Sequence, residues 1–166
     1  MKRPHSPIAS SSSSSKPQTN YDVFLSFSGD TRKKFTSHLY KALDEKGIYT
    51  FKDEEELQKG TVISPELEKA IKGSLCSVVI LSRDYASSRW CLDELVLILQ
   101  RMKESKRIVL PIFYHVYPSH VRKQIGSIGD AIKRHERVHN LQKVKSWRAA
   151  LTEVGNLAGY HLQDDG

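Results

Sequence analysis

The sequence predicts an α/β domain built on a parallel five-stranded sheet, with helices on both faces and the common strand order 2-1-3-4-5. From Tyr21 onward, short apolar runs of strand length alternate with amphipathic runs of helix length. The run CSVVILS (76–82) is apolar without alternation, as a central strand covered on both faces must be. No tandem repeat competes with this reading.

YDVFLSF (21–27) reads as the first strand. TRKKFTSHLYKALDEKG (31–47) reads as a helix whose Phe35, Leu39, Ala42 and Leu43 form one face and which Gly47 ends. IYTFKD (48–53) is the second strand. ISPELEKAIKGS then offers a helix with a Ser64 cap and Pro65 at its first position, and Glu66 and Glu68 complement the positive end of the dipole. After the central strand comes SSRWCLDELVLIL, with Cys91, Leu92, Leu95, Val96, Leu99 and Met102 at helical spacing. RIVLPIFYHV (107–116) is the fourth strand, and its Pro111, lacking a donor, suits an edge or a bulge better than a regular ladder. Residues 119–139 are charged and helical in parts. VKSWRAALTEVGNLAG (144–159) is a last amphipathic helix, and YHL is a short fifth strand.

The chain of 166 residues divides near residue 20. MKRPHSPIASSSSSSKPQTN is rich in Ser and Pro and nearly free of large apolar groups, so it cannot bury enough surface to offset the entropy of ordering. Residues 1–20 are therefore expected to be a disordered tail, 21–162 one domain, and 163–166 a short end. The tail carries Lys2, Arg3 and Lys16 and no acid, which leaves +4 of the formal +7 for the rest. That is mildly basic and argues against nucleic acid as the main partner. Short clusters such as Arg122-Lys123 and Lys133-Arg134 read as solvated faces.

Cys76 and Cys91 adjoin apolar runs, which suits buried thiols in a reducing compartment. No apolar stretch approaches the ~18 residues a membrane helix needs, and the N-terminus lacks the apolar centre of a signal peptide. The expected location is the cytoplasm, with the nucleus as an alternative because KRP resembles part of a nuclear address. His135 and His139 have an i, i+4 spacing without an evident third ligand, so no metal is expected.

In a sheet of this order, ligands bind where the winding reverses, at the carboxyl ends of strands one and three. Strand one runs into Ser28-Gly29-Asp30-Thr31, and strand three runs through 82–90 to Trp90 and Glu94. Glu94 then falls in the first turns of its helix, where the dipole favours an ionised carboxylate by ~0.3–1 kcal/mol. Asp93 lies ~100° around that helix and reads as a solvated or capping acid. A phospho-acceptor receiver shares the architecture, but strand one does not end in the paired acids that would hold Mg²⁺.

Four motifs in order, YDVFLSF, FKDEEELQKG, SRWCLDEL and LPIFYHVYPSHVRKQ, resemble the TIR (Toll/interleukin-1 receptor) domain of plant intracellular immune receptors over residues 21–162. The resemblance implies a flavodoxin-like three-layer fold and hydrolysis of NAD⁺ or NADP⁺ at the nicotinamide–ribose bond. It also implies that self-association switches the activity on and that small nucleotide products act as immune signals. The dinucleotide is the substrate, and no further cofactor is implied. Partners would be other TIR domains or downstream immune signalling proteins.

By the resemblance Glu94 is the catalytic residue and Trp90 stacks against a base, with Phe27, Ser28, Gly29, Asp30, Thr31, Arg32, Gly60 and Ser88 completing the substrate contacts. Ser37 and His38 on the first helix match a self-association pair. Gly159-Tyr160 occupies a second such position, with Tyr where the family has Trp. The chemistry agrees with a single carboxylate. Nicotinamide leaves NAD⁺ as a neutral molecule, so no general acid is needed, and what remains is an oxocarbenium-like cation that one carboxylate can stabilise.

Two stretches depart from the family pattern. After strand one the family reads S-F-R-G-x-D-T-R, whereas Ser26-Phe27-Ser28-Gly29-Asp30-Thr31-Arg32 is one residue shorter and has Ser28 in place of Arg. A lost charge-assisted contact there would cost ~1.5–3 kcal/mol, which Lys59 or Arg32 would have to replace. After strand four, His115 and Tyr117 stand where the family has two acids. Two functions thus follow: a self-associating NAD⁺ hydrolase, or a catalytically weak or silent adaptor acting through homotypic contacts.

Overall fold

The computed structural model describes residues 21–52 and 63–163. In chain order the elements are β1 (Tyr21–Ser26), α1 (Phe35–Glu45), β2 (Thr50–Lys52), α2 (Pro65–Lys72), β3 (Ser74–Leu81), α3 (Arg89–Ser105), β4 (Ile108–Tyr114), α4 (Pro118–Lys123), α5 (Gly126–Glu136), α6 (Leu141–Gly155) and β5 (Tyr160–Leu162). Single 3-10 turns at Gly29–Thr31 and Tyr85–Ser87 precede α1 and α3. The sheet is parallel throughout with the expected order β2-β1-β3-β4-β5. Its winding reverses between β1 and β3, where Phe24 pairs with Ser77 and Ser26 with Val79.

Local chemistry explains most boundaries. Ser64 caps α2 by accepting from the Leu67 amide, Ser88 caps α3 through the Cys91 amide, and Asn140 caps α6 through the Lys143 amide. The Asn140 cap starts α6 three residues before the periodicity predicts. α1 begins at Phe35 rather than near Thr31, because residues 29–31 form the 3-10 turn and the buried Thr31 and Thr36 hydroxyls bond each other at 2.7 Å. Gly47, at φ +78°, turns the chain out of α1, a conformation that side-chain-bearing residues rarely adopt.

The core is unequal on the two faces of the sheet. One face carries Phe24, Val79, Leu81, Val109 and Phe113 against α2 to α6, with Leu92, Leu95, Ile98, Ile132, Trp147 and Leu151 buried between the layers. The other carries Leu25, Val78, Ile80 and Ile112 against α1. There Phe35, Leu39 and Leu43 are half-buried and Ala42, read from the sequence as part of the apolar face, is exposed. An apolar groove of about 310 Å³ runs between α1 and the β4–β5 edge, lined by Phe35, Leu39, Leu43, Leu110, Tyr160 and Leu162 among others. No helix among the described residues is long and apolar enough to cross a membrane.

β4 is an inner strand, because β5 pairs beside it. Pro111 is accommodated since β5 pairs with β4 only from Ile112 onward. Gly159 comes so close at this point that a Cβ there would meet the Pro111 carbonyl oxygen at 2.1 Å.

Candidate functional site

Glu94 stands at the carboxyl end of the β1–β3 junction and is 2% exposed. Burying a carboxylate is costly unless it accepts hydrogen bonds. One is supplied by Ser26, the last residue of β1, whose Oγ donates to Glu94 Oε1 at 2.6 Å. With the Ser26 proton so engaged, the 2.7 Å contact between Ser26 Oγ and Tyr85 Oη makes Tyr85 the donor. Tyr85, fully buried in the 3-10 turn before α3, also faces the Cys91 carbonyl at 3.2 Å, so its one hydroxyl proton is shared between that carbonyl and Ser26 Oγ. A buried chain from Tyr85 through Ser26 thus orients the Glu94 carboxylate. Neither Ser26 nor Tyr85 was singled out from the sequence. The available signal was a serine at the end of an otherwise apolar strand.

Trp90 lies one helical turn before Glu94 and is half-buried, packed against the larger core cluster. The i, i+4 spacing puts its ring on the same side of α3 as the carboxylate. Ser88, half-buried between them and the loop, accepts from the Cys91 amide at 3.0 Å as the cap of α3. Cys91 is buried and its thiol donates to the Phe27 carbonyl at 3.3 Å, so it acts as a small core residue that ties α3 to the end of β1. Cys76 is half-buried, and burial raises its thiol pKa.

The loop after β1 closes on itself. Ser28 is buried and donates to Asp30, and Ser82, just past β3, donates to the same Asp30 Oδ1 at 2.8 Å. The Asp84 amide adds a 3.3 Å bond to Asp30 Oδ2. Asp30 therefore ties together the loops that follow β1 and β3, at the expected ligand site. Thr31 is buried with its hydroxyl on Thr36, and Gly29 is exposed with open space around it. Phe27 is buried, and the Arg32 guanidinium sits over its ring, 4.9 Å from the centroid. A cation is thus present on this loop although position 28 is Ser. Gly60 and Lys59 lie outside the described residues.

Asp93 is not simply solvated. Its Oδ1 accepts from the indole Nε1 of the fully buried Trp147 at 3.0 Å. Lys143 and Arg89 also approach its carboxylate, at 3.5 and 3.9 Å. His115, at φ +59°, and Tyr117 are exposed after β4, with the His115 amide bonded to the Leu162 carbonyl. Ser37 and His38 are exposed on α1, and Gly159 and Tyr160 are exposed at the sheet edge. Among the described residues no three His, Cys, Asp or Glu side chains gather as a metal site.

The TIR domain family model matches residues 20–165. The chain is 54% identical to the disease resistance protein RPV1 of Vitis rotundifolia, over 96% of this chain and 12% of that protein. It is 51% identical to the TMV resistance protein N of Nicotiana glutinosa, over 92% of this chain and 13% of that protein. The chain therefore spans only about an eighth of the length of these curated relatives. Among solved structures, it is similar to the TIR domains of the activated Roq1 resistosome that recognises the pathogen effector XopQ. The TM-score is 0.81 at 51% identity, covering 88% of this chain and 90% of that one.

Proposed function

Because the chain belongs to the TIR domain family, with plant disease resistance proteins as its relatives, we propose that it cleaves the nicotinamide–ribose bond of NAD⁺ or NADP⁺ to generate immune signals. The observation that carries this reading is the buried Glu94 carboxylate at the sheet's switch point, oriented by Ser26 and Tyr85 with Trp90 one turn away.

In the reaction the C–N bond breaks, and nicotinamide leaves with the bonding electron pair as a neutral molecule. Water adds to the ribosyl carbon and releases a proton, giving ADP-ribose or a related nucleotide. The only charge that grows is the cation on the ribose. A carboxylate already oriented in a water-poor site stabilises it without reorganising. Trp90 offers an aromatic face to a base, and Arg32 offers a cation to the phosphates. Self-association through the exposed Ser37 and His38 of α1 would hold the crevice loops in their productive setting. The Roq1 structure, an assembled resistosome, supports assembly as the relevant state.

Chromatography of nicotinamide release at high protein concentration tests this. Glu94→Gln, which keeps the shape and removes the charge, is expected to lower turnover at least ~100-fold. One observation favours the adaptor reading: position 28 carries a Ser whose hydroxyl is engaged by Asp30, where the resemblance implies an Arg. Absence of turnover in a wild-type sample whose assembly is verified by light scattering would decide for the adaptor.

A further inference from the structure

Outside the crevice, α5 and α6 grip the segment 82–94 at two points. In α5, His135 Nε2–H donates to the Ala86 carbonyl at 2.9 Å, and Arg134 donates to Ser87 Oγ at 3.2 Å. In α6, Trp147 donates to Asp93 as described above. The two grips touch each other. The His135 ring meets the Trp147 indole edge-on at 5.0 Å, and His139 packs against both at 5.3 and 5.2 Å.

The contacts fall where the segment is weakest by itself. A single 3-10 turn has poor internal hydrogen bonds and takes its shape from its surroundings. The first turn of α3, Arg89–Leu92, lacks intrahelical acceptors for its amides, so its setting depends on the Ser88 cap and on ties made just beyond it, where Asp93 stands. Asp93 projects ~100° around α3 from Glu94, so a bond from Asp93 to a rigid, fully buried indole sets the rotation that turns Glu94 toward Ser26.

We propose that Asp93 and His135 are positioning residues for the crevice. Asp93, through Trp147, sets the rotation of α3. His135, through the Ala86 carbonyl, sets the turn that carries Tyr85 and leads to Ser88. This rests on reading the crevice as the dinucleotide site. Neither residue touches the substrate in this scheme, since Asp93 faces α6 and His135 stands behind the turn.

The test uses the full chain and four variants. Asp93→Ala removes the acceptor for Trp147, and Asp93→Asn retains it. His135→Leu removes the donor to Ala86, and Lys103→Gln cuts a surface tie between α3 and α6, the Lys103–Glu153 pair at 3.1 Å. Two quantities are read: kcat and KM for nicotinamide release from NAD⁺, and backbone amide exchange across 84–94. Displacement of a catalytic group by about 1 Å costs on the order of 100-fold in rate. Asp93→Ala and His135→Leu are therefore expected to lower kcat ~10- to 100-fold with KM changed less than ~threefold, and to speed exchange within 84–94. Asp93→Asn and Lys103→Gln are expected to stay within ~threefold of wild type on both.

The proposal is overturned if Asp93→Ala and His135→Leu retain wild-type kcat, if Asp93→Asn falls as far as Asp93→Ala, or if exchange rises evenly along the chain. A wild type that releases no nicotinamide would sink the dinucleotide reading instead. The exchange data would then decide alone: a rise confined to 84–94 in Asp93→Ala and His135→Leu upholds the positioning, and unchanged exchange overturns it.

Discussion

His135 shows how far a residue's meaning depends on its surroundings. In the sequence it is one of two histidines at helical spacing; in the fold it is buried against Trp147 with its ring on the Ala86 carbonyl. Burial lowers its pKa below the ordinary 6.5, opposed by the bond to Ala86 and reinforced by His139, Arg134 and Arg89. Between that lowered value and 6.5 the unfolded chain holds a proton that the folded chain does not. Stability is therefore complete above about 6.5 and falls as the pH drops through this window. Thermal melts of the wild type are expected to show a midpoint decreasing from pH 7.5 to pH 5. His135→Gln, which can still donate to Ala86 but does not titrate, is expected to show a shallower decrease. An equal decrease in both would assign the acid sensitivity elsewhere. Glu94 and Trp90 were legible in the sequence because helical spacing placed them at the start of α3 and the motif gave them roles. Ser26, Tyr85 and Asp93 were not, because each derives its role from a partner 54 to 68 positions away.

At the scale of elements, the apolar runs identified the five strands and α1, α2, α3 and α6, while α4 and α5 were read only as a charged segment helical in parts, and boundary errors cluster where side chains bond locally. The Thr31–Thr36 pair and the 3-10 turn delay α1, and the Asn140 cap advances α6. Pro111 is an instructive case, since its suitability for an edge is met inside the sheet by a fifth strand too short to pair with it. Gly159 makes that approach feasible. Gly159→Ala is expected to destabilise the chain by about 1–3 kcal/mol through overpacking against Pro111. The expected readout is a lower urea midpoint at unchanged slope, even at concentrations where the protein is monomeric. A variant of unchanged stability with weaker self-association would instead assign Gly159 to the interface alone.

At the scale of the whole molecule the two faces of the sheet are unequally covered. Among the described residues, the helices α2 to α6 form a deep layer on one face, while α1 alone packs on the other beside the apolar groove. Local opening free energy follows buried contact, so α1 amides are expected to exchange faster than those of α3 and α6 in hydrogen–deuterium exchange of the monomer. Protection of α1 equal to that of α3 would mean that the groove face is covered in solution. The strand order, the helices on both faces and the position of Glu94 and Trp90 at the start of α3, beside the end of β1, were determined by the sequence itself. Side-chain periodicity and the handedness of β-α connections are local properties that leave few topologies open. The orientation of the Glu94 carboxylate, the closure of the Ser28 loop on Asp30, the seating of Asp93 on Trp147 and the uneven cover of the sheet were decided only by the tertiary structure. Each depends on distances between residues remote in the chain, and such distances exist only once the core has packed.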